Sequence, residues 1–280
     1  MGTEPEPQLQ DQLNLSTSPL ALKILVAEDN ATNQKVILRQ LQSLGYTADL
    51  VSDGQAAIDA TAQTFYHIVL MDCRLPKIDG YMATRIIRQR EQVNQSPSTV
   101  IVALTASNNL QAEHEASVAG MNDFLTKPLR QETLLAVLKK WSQIWQRSDL
   151  NIAQTIPPAE TAQPFVNVMP DPALLAIYFD LDRLHQLSDR NQAFEQELLL
   201  LYLDDTEAQV QQLLQARQKQ NFSQIERTAH HIRGASGSVG AFRLENLAEN
   251  IERQAQAKNA TIGDSIQQLK QAFDELKALF

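Results

Sequence analysis

Hydrophobic positions along the chain fall into two regimes. Up to about residue 125 they come in short runs bounded by polar residues or glycine, which predicts strands over 23–27, 47–51, 67–71, 99–104 and 122–125. Helical spacing between and after these runs predicts helices over 31–44, 54–63, 79–90, 107–118 and 130–146. Strands alternating with helices require right-handed crossovers, and so predict a parallel sheet with helices on both faces. After Asp171 no strand pattern occurs, and amphipathic helices are predicted over 173–186, 192–218, 222–238, 241–257 and 263–280. Their apolar stripes (Phe222, Ile225, Ala229, Ile232 and Val239; Leu198, Leu201, Tyr202, Val210 and Leu213) pack most simply as an antiparallel bundle.

Between the regimes, prolines 157, 158, 164 and 170 exclude a helix, so residues 148–170 read as a linker. Residues 1–20 are rich in Gln, Pro, Ser and Glu without apolar periodicity, and read as a disordered lead-in. The expected domains are therefore 21–147 and 171–280. With 280 residues, each can bury its own core. The net charge of −9 is uneven: residues 20–147 are close to neutral, while residues 171–280 and the two remaining segments carry the acidic excess, and without a basic stripe nucleic acid is not an expected partner. No apolar run matches a membrane span or a secretory signal, and the single cysteine excludes an internal disulfide framework. These features predict a cytoplasmic protein without membrane contact.

Polar residues at the strand ends carry the first chemistry. Glu28 and Asp29 end the first strand, Asp72 the third and Thr105 the fourth, while Lys127 follows the fifth. Parallel strands deliver these ends to one sheet edge. Three carboxylates beside a lysine and a hydroxyl suit a carboxylate that accepts a phosphoryl group with Mg²⁺ bound, since the moving charge must be neutralised. Asp29, Asp72 and a water-bridged Glu28 are reasonable Mg²⁺ ligands, joined by the Cys73 carbonyl. Lys127 supplies a point charge and Thr105 a hydrogen bond to the phosphoryl oxygens. Taken singly, Asp29 could be only a helix N-cap and Lys127 a surface lysine; the joint occurrence carries the reading. The Cys73 side chain is expected to pack.

Glu28-Asp29-Asn30, Met71-Asp72, Pro76-Lys77-Ile78-Asp79-Gly80, Ala103-Leu104-Thr105-Ala106 and Lys127-Pro128 together resemble a response-regulator receiver domain. The resemblance implies a flavodoxin-like, doubly wound, five-stranded parallel sheet of order 2-1-3-4-5, with Asp72 as phosphoacceptor. Phe124 matches the family's aromatic switch position, coupled to Thr105, although it could equally be simple core packing. Arg74 departs from the smaller residue common at its position and overlooks the path of attacking water, which puts the lifetime of an acyl phosphate in doubt.

In the second regime, Ala229-His230-His231-Ile232-Arg233-Gly234-Ala235-Ser236-Gly237 resembles the signature of histidine phosphotransfer (HPt) domains. That implies an all-α four-helix bundle with a solvent-exposed phosphorylatable histidine. On a helical wheel starting at Ile225, His230 falls near about 140° and His231 near about 240°, so both point away from the apolar stripe. Gly234 and Gly237 crowd the His230 side and are expected to let a partner's aspartyl phosphate approach, while Arg233 pairs with phosphoryl oxygens. His230 is the expected phosphohistidine and His231 a surface residue.

The chain then reads as a phosphorelay protein. Asp72 takes a phosphoryl group from a histidine kinase domain or other phosphohistidine donor, and His230 passes one to or from a downstream receiver aspartate. No ATP-binding kinase region is visible, and the segment 28–35 is similar to receivers of hybrid sensor kinases, so the chain reads as the C-terminal part of one. Two other classes compete. A docking scaffold would keep both folds without phosphorylation. A phosphohydrolase of the haloacid dehalogenase type needs a carboxylate at position 74, where Arg stands.

Overall fold

In the computed structural model, residues 22–106, 110–148, 170–259 and 261–280 are described. The lead-in expected over 1–20 and, apart from its end residues 148 and 170, the linker expected over 148–170 lie outside them. Strands β1 (Ile24–Ala27), β2 (Ala48–Val51), β3 (Ile68–Asp72), β4 (Val100–Thr105) and β5 (Asp123–Thr126) form one parallel sheet of order β2-β1-β3-β4-β5.

Period-two alternation builds a core on each face. Ile24, Val26, Ile68, Leu70, Val102 and Leu104 point to one side, where they meet Ile37 and Leu41 of helix α1 (Ala31–Ser43) and Leu134 and Leu138 of α5 (Gln131–Ser148). Leu25, Ala27, Val69, Met71, Ile101 and Ala103 point to the other. There they meet Ala57 and Ile58 of α2 (Gly54–Gln63), Ala83 and Ile87 of α3 (Gly80–Asn94) and Ala116 of α4 (Leu110–Ala119). Strands covered on both faces must be apolar throughout, which is why the runs looked continuous.

The second unit is helical. Helices α8 (Gln192–Gln218), α9 (Phe222–Val239), α10 (Phe242–Gln256) and α11 (Ile262–Lys277) surround a core of Leu198, Tyr202, Leu213, Ile225, Ala229, Ile232, Ile251, Leu269 and Phe273. Leu201, expected in the stripe, is half-buried, and Leu199 takes a core position instead. The helix expected over 173–186 divides into α6 (Pro172–Leu175) and α7 (Leu181–Ser188). Asp180 causes the break: its extended backbone and side chain cap α7, accepting from the Arg183 N–H at 3.1 Å.

Helix α1 of the sheet unit lies against α7, α8 and α9 of the bundle. Val36 of α1 is buried in the apolar cluster of the bundle. Around it, Ser238 donates to Asn33 at 2.6 Å, Lys35 pairs with Glu197, and Arg39 pairs with Asp189 at 3.1 Å. This packing brings the C-terminal edge of the sheet opposite the outer face of α9.

Candidate functional site

Asp72 is the last residue of β3, and its neighbours are placed by local chain chemistry. One carboxylate oxygen accepts from the Arg74 N–H at 3.0 Å; the other takes the Lys127 ammonium at 2.6 Å. Lys127 follows β5 and is anchored by its own N–H donating to the Thr105 carbonyl at 2.7 Å. Its ammonium also reaches Glu28 at 2.5 Å, and Glu28 accepts from Asn33 at 2.8 Å. Asn30 rather than Asp29 is the N-cap of α1, accepting from the Asn33 N–H at 2.8 Å. The capping alternative for Asp29 therefore fails, and its carboxylate is left to the site. Cys73 is buried with its thiol pushed up to about 11 by burial, and its carbonyl accepts from the Gly80 N–H at 3.1 Å.

Glu28, Asp29 and Asp72 each offer a carboxylate oxygen within 4.8 Å of the others. Three carboxylates against one ammonium leave negative charge in a poorly hydrated place. Burial accordingly pushes the Glu28 carboxyl up to about 7 despite Lys127, and also raises Asp29. Burial opposes ionisation of Asp72 as well, but Lys127, the Arg74 N–H and His230 outweigh it and hold its carboxyl below the ordinary range. Burial works against charge on Lys127 too, and Asp72 and Glu28 overcome it. Hard oxygen donors with surplus negative charge fit a small divalent cation.

Thr105 ends β4 at the same edge and is buried. Phe124 of β5 pairs in register with Ala103 and packs, partly buried, on the core cluster that includes Ala103.

His230 and His231 face away from the core of the bundle, as their wheel positions require, yet neither lies in open solvent. Their side chains are 14% and 15% exposed, because the sheet unit and α10 cover them. The expectation of a solvent-exposed histidine is corrected on that ground. His230 Nδ1 lies 2.9 Å from Glu252 of α10, which requires the proton on that nitrogen. Arg233 Nη2 lies 3.5 Å from the same nitrogen and, as a donor, cannot bond a protonated one; it pairs instead with the other Glu252 oxygen at 3.1 Å. Burial opposes ionisation of Glu252, but His230, Arg233 and Arg74 together hold its carboxyl low. His231 is not the surface residue expected. Its Nε2 meets Asp205 at 3.2 Å and its Nδ1 lies 3.9 Å from Asp29. Asp205 also accepts from Asn30 at 3.1 Å.

Of the two glycines, only Gly237 is crowded inside this chain. A Cβ on Gly234 would sit 3.4 Å from the Asn33 amide, and one on Gly237 would sit 2.9 Å from a Glu245 carboxylate oxygen. Between the units lies a cavity of about 490 Å³ lined by Glu28, Asp29, Asp72, Lys127, His230 and His231, among others. The structure thus brings the strand-end cluster and the histidine pair into one space.

Sequence reasoning missed Glu252, Asp205, Asn33 and Ser238. Glu252 had a signal: it occupies the i+8 position of the stripe Leu244, Ala248, Ile251 and Ala255, where a buried carboxylate needs a partner. The other three gain partners across the interface, Asn30 with Asp205 and Ser238 with Asn33, that only the packing of one unit on the other creates.

Comparison with known proteins agrees. The response regulator receiver domain model matches residues 24–139, and the Hpt domain model matches residues 197–279. The aerobic respiration control sensor protein ArcB of Escherichia coli (strain K12) is 30% identical over 266 residues, which cover 94% of this chain and 32% of that protein. Sensor protein GacS of Pseudomonas syringae pv. syringae is 26% identical over 261 residues, covering 93% of this chain and 28% of that protein. The receiver domain of sensor histidine kinase PA1611 from Pseudomonas aeruginosa PAO1, crystallised with a magnesium ion in its active site cleft, is 46% identical. It covers 44% of this chain and 99% of that one, with a TM-score of 0.39. The chain spans 6% to 32% of the length of the curated relatives it matches. The chain therefore carries a response regulator receiver domain followed by an Hpt domain, the paired modules of two-component phosphorelay signalling, and its similarity to GacS and ArcB runs through both.

Proposed function

We propose that Asp72 is the phosphoacceptor of the receiver domain, that His230 is the phosphohistidine of the Hpt domain, and that the two exchange a phosphoryl group across the shared cavity. The observation that carries this reading is the placing of both side chains on one cavity that Lys127, Glu28 and Asp29 also line. Glu28, Asp29, Asp72 and the Cys73 carbonyl would hold Mg²⁺, which supplies charge neutralisation for the moving phosphoryl group.

Residue chemistry does the rest. Lys127 and Thr105 stabilise the phosphoryl oxygens. Glu252 keeps the His230 proton on Nδ1 and leaves the Nε2 lone pair as nucleophile. As the Nε2–P bond forms, the O–P bond to Asp72 breaks and the carboxylate leaves with the electron pair. Positive charge that develops on the imidazole is balanced by Glu252, with no proton lost. Phosphorylation draws Thr105 inward and lets Phe124 follow, which transmits the state to the helical face nearby.

The donor is a phosphohistidine of a histidine kinase domain, and a downstream receiver aspartate exchanges with His230. The receiver–Hpt pair acts in the cytoplasm. Among the described residues, no helix is long and apolar enough to cross a membrane.

Labelling with a small phosphodonor and Mg²⁺ tests the assignments. Alkali-labile label is expected on the wild type and its loss in Asp72→Asn; acid-labile, alkali-stable label is expected to require both Asp72 and His230. A wild type that takes no label, beside a control receiver that does, would leave the docking scaffold.

A further inference from the structure

Arg74 connects the two phosphoacceptors. Its backbone N–H holds one Asp72 oxygen at 3.0 Å, while its guanidinium leaves the receiver and crosses to the Hpt domain. There it meets Glu226 of α9 at 3.2 Å and Glu252 of α10 at 3.5 Å. Glu252 Oε1, the oxygen that Arg74 approaches, is also the one that holds His230 Nδ1. A continuous path therefore runs from the acceptor strand through one side chain to the carboxylate that orients the histidine.

The partners differ in setting. Glu252 has only 5% of its side chain exposed, whereas Glu226 has 31%. One nitrogen of the Arg74 guanidinium, Nη1, makes both contacts, so a single cationic group bridges carboxylates on two helices. A small residue at this position could reach neither carboxylate.

We infer that Arg74 is a positioning and specificity residue: it docks the acidic edge of the α9–α10 pair over Asp72 and, through Glu252, aligns His230 for transfer from its own receiver domain. The inference rests on the proposed Asp72–His230 exchange. In place of a water-directing role for the long cation at position 74, it gives one of recognition. A partner that docks there must present two carboxylates in the Glu226 and Glu252 positions, which selects among Hpt domains by charge.

A double-mutant cycle on the full-length chain tests it. Asp72 is loaded with a small phosphodonor, and the rate of label movement from Asp72 to His230 is measured per unit of Asp72 label. Arg74→Ala is expected to slow movement about three- to tenfold and Glu226→Ala by less. The double variant is expected to be no slower than Arg74→Ala alone, because the two residues act as one contact. Movement at the wild-type rate in Arg74→Ala, or independent effects that multiply in the double variant, would overturn the inference. Wild-type label that stays on Asp72 and never reaches His230 would overturn it as well, with Asp72 retained as acceptor. No label on Asp72 at all would instead sink the functional reading itself.

Discussion

At the residue scale, the chemistry depends on a few buried carboxylates whose neighbours decide their charge. Glu252 is the clearest case, since His230, Arg233 and Arg74 all meet its two oxygens. Glu252→Ala removes the acceptor that holds the Nδ1 proton and leaves two guanidinium groups without it. A hydrogen bond to a charged group contributes about 1.5–3 kcal/mol, so phosphoryl transfer to His230 is expected to fall by roughly ten- to a hundredfold. Glu252→Gln, which keeps an acceptor oxygen, is expected to retain more of the rate; quench-flow measurement of label on His230 checks both. The strand-end residues were legible because parallel strands converge at one edge, so Glu28, Asp29, Asp72, Thr105 and Lys127 could be placed together from their runs alone. His230 was singled out by its motif, and its side chain lines the same cavity as Asp72. The partners of His231 were not, since Asp29 and Asp205 come to it from opposite sides of a domain interface that leaves no local pattern.

At the scale of elements, the assignments of β1, β3 and β4 held because strands buried on both faces must be continuously apolar, whereas the edge strands β2 and β5 are only partly buried. Boundaries moved where capping chemistry overrode periodicity, as at Asp180, and at Asp79, whose side chain accepts from the Met82 N–H and starts α3 at Gly80. Gly80 itself is a tight approach of helix to strand. A Cβ there would lie 2.1 Å from the Asp72 carbonyl oxygen, a backbone atom that cannot step aside. Gly80→Ala must therefore push α3 away from the end of β3, at a cost of about 1–3 kcal/mol. Its expected signature is a lower melting temperature of the receiver domain, read by calorimetry, together with weaker Mg²⁺ binding as Asp72 is displaced. An unchanged melting temperature would show that the loop 73–79 absorbs the strain.

At the scale of the whole molecule, both folds could be anticipated, but their mutual packing could not. Val36 shows why: on its own helix it continues the apolar stripe, and nothing in the sequence says that it is buried in the other domain. The polar contacts around it are individually weak where exposed, as with Arg39 and Asp189. Burial of Val36 and the Asn33–Ser238 bond are the interior part of the interface. The proposed exchange between Asp72 and His230 is therefore expected to run within a single chain. Mixing Asp72→Asn with His230→Gln full-length chains tests this most directly, because each supplies the acceptor the other lacks. The account predicts little label on His230 in the mixture and a wild-type transfer rate that does not change with protein concentration. Efficient complementation, with a rate proportional to concentration, would contradict it.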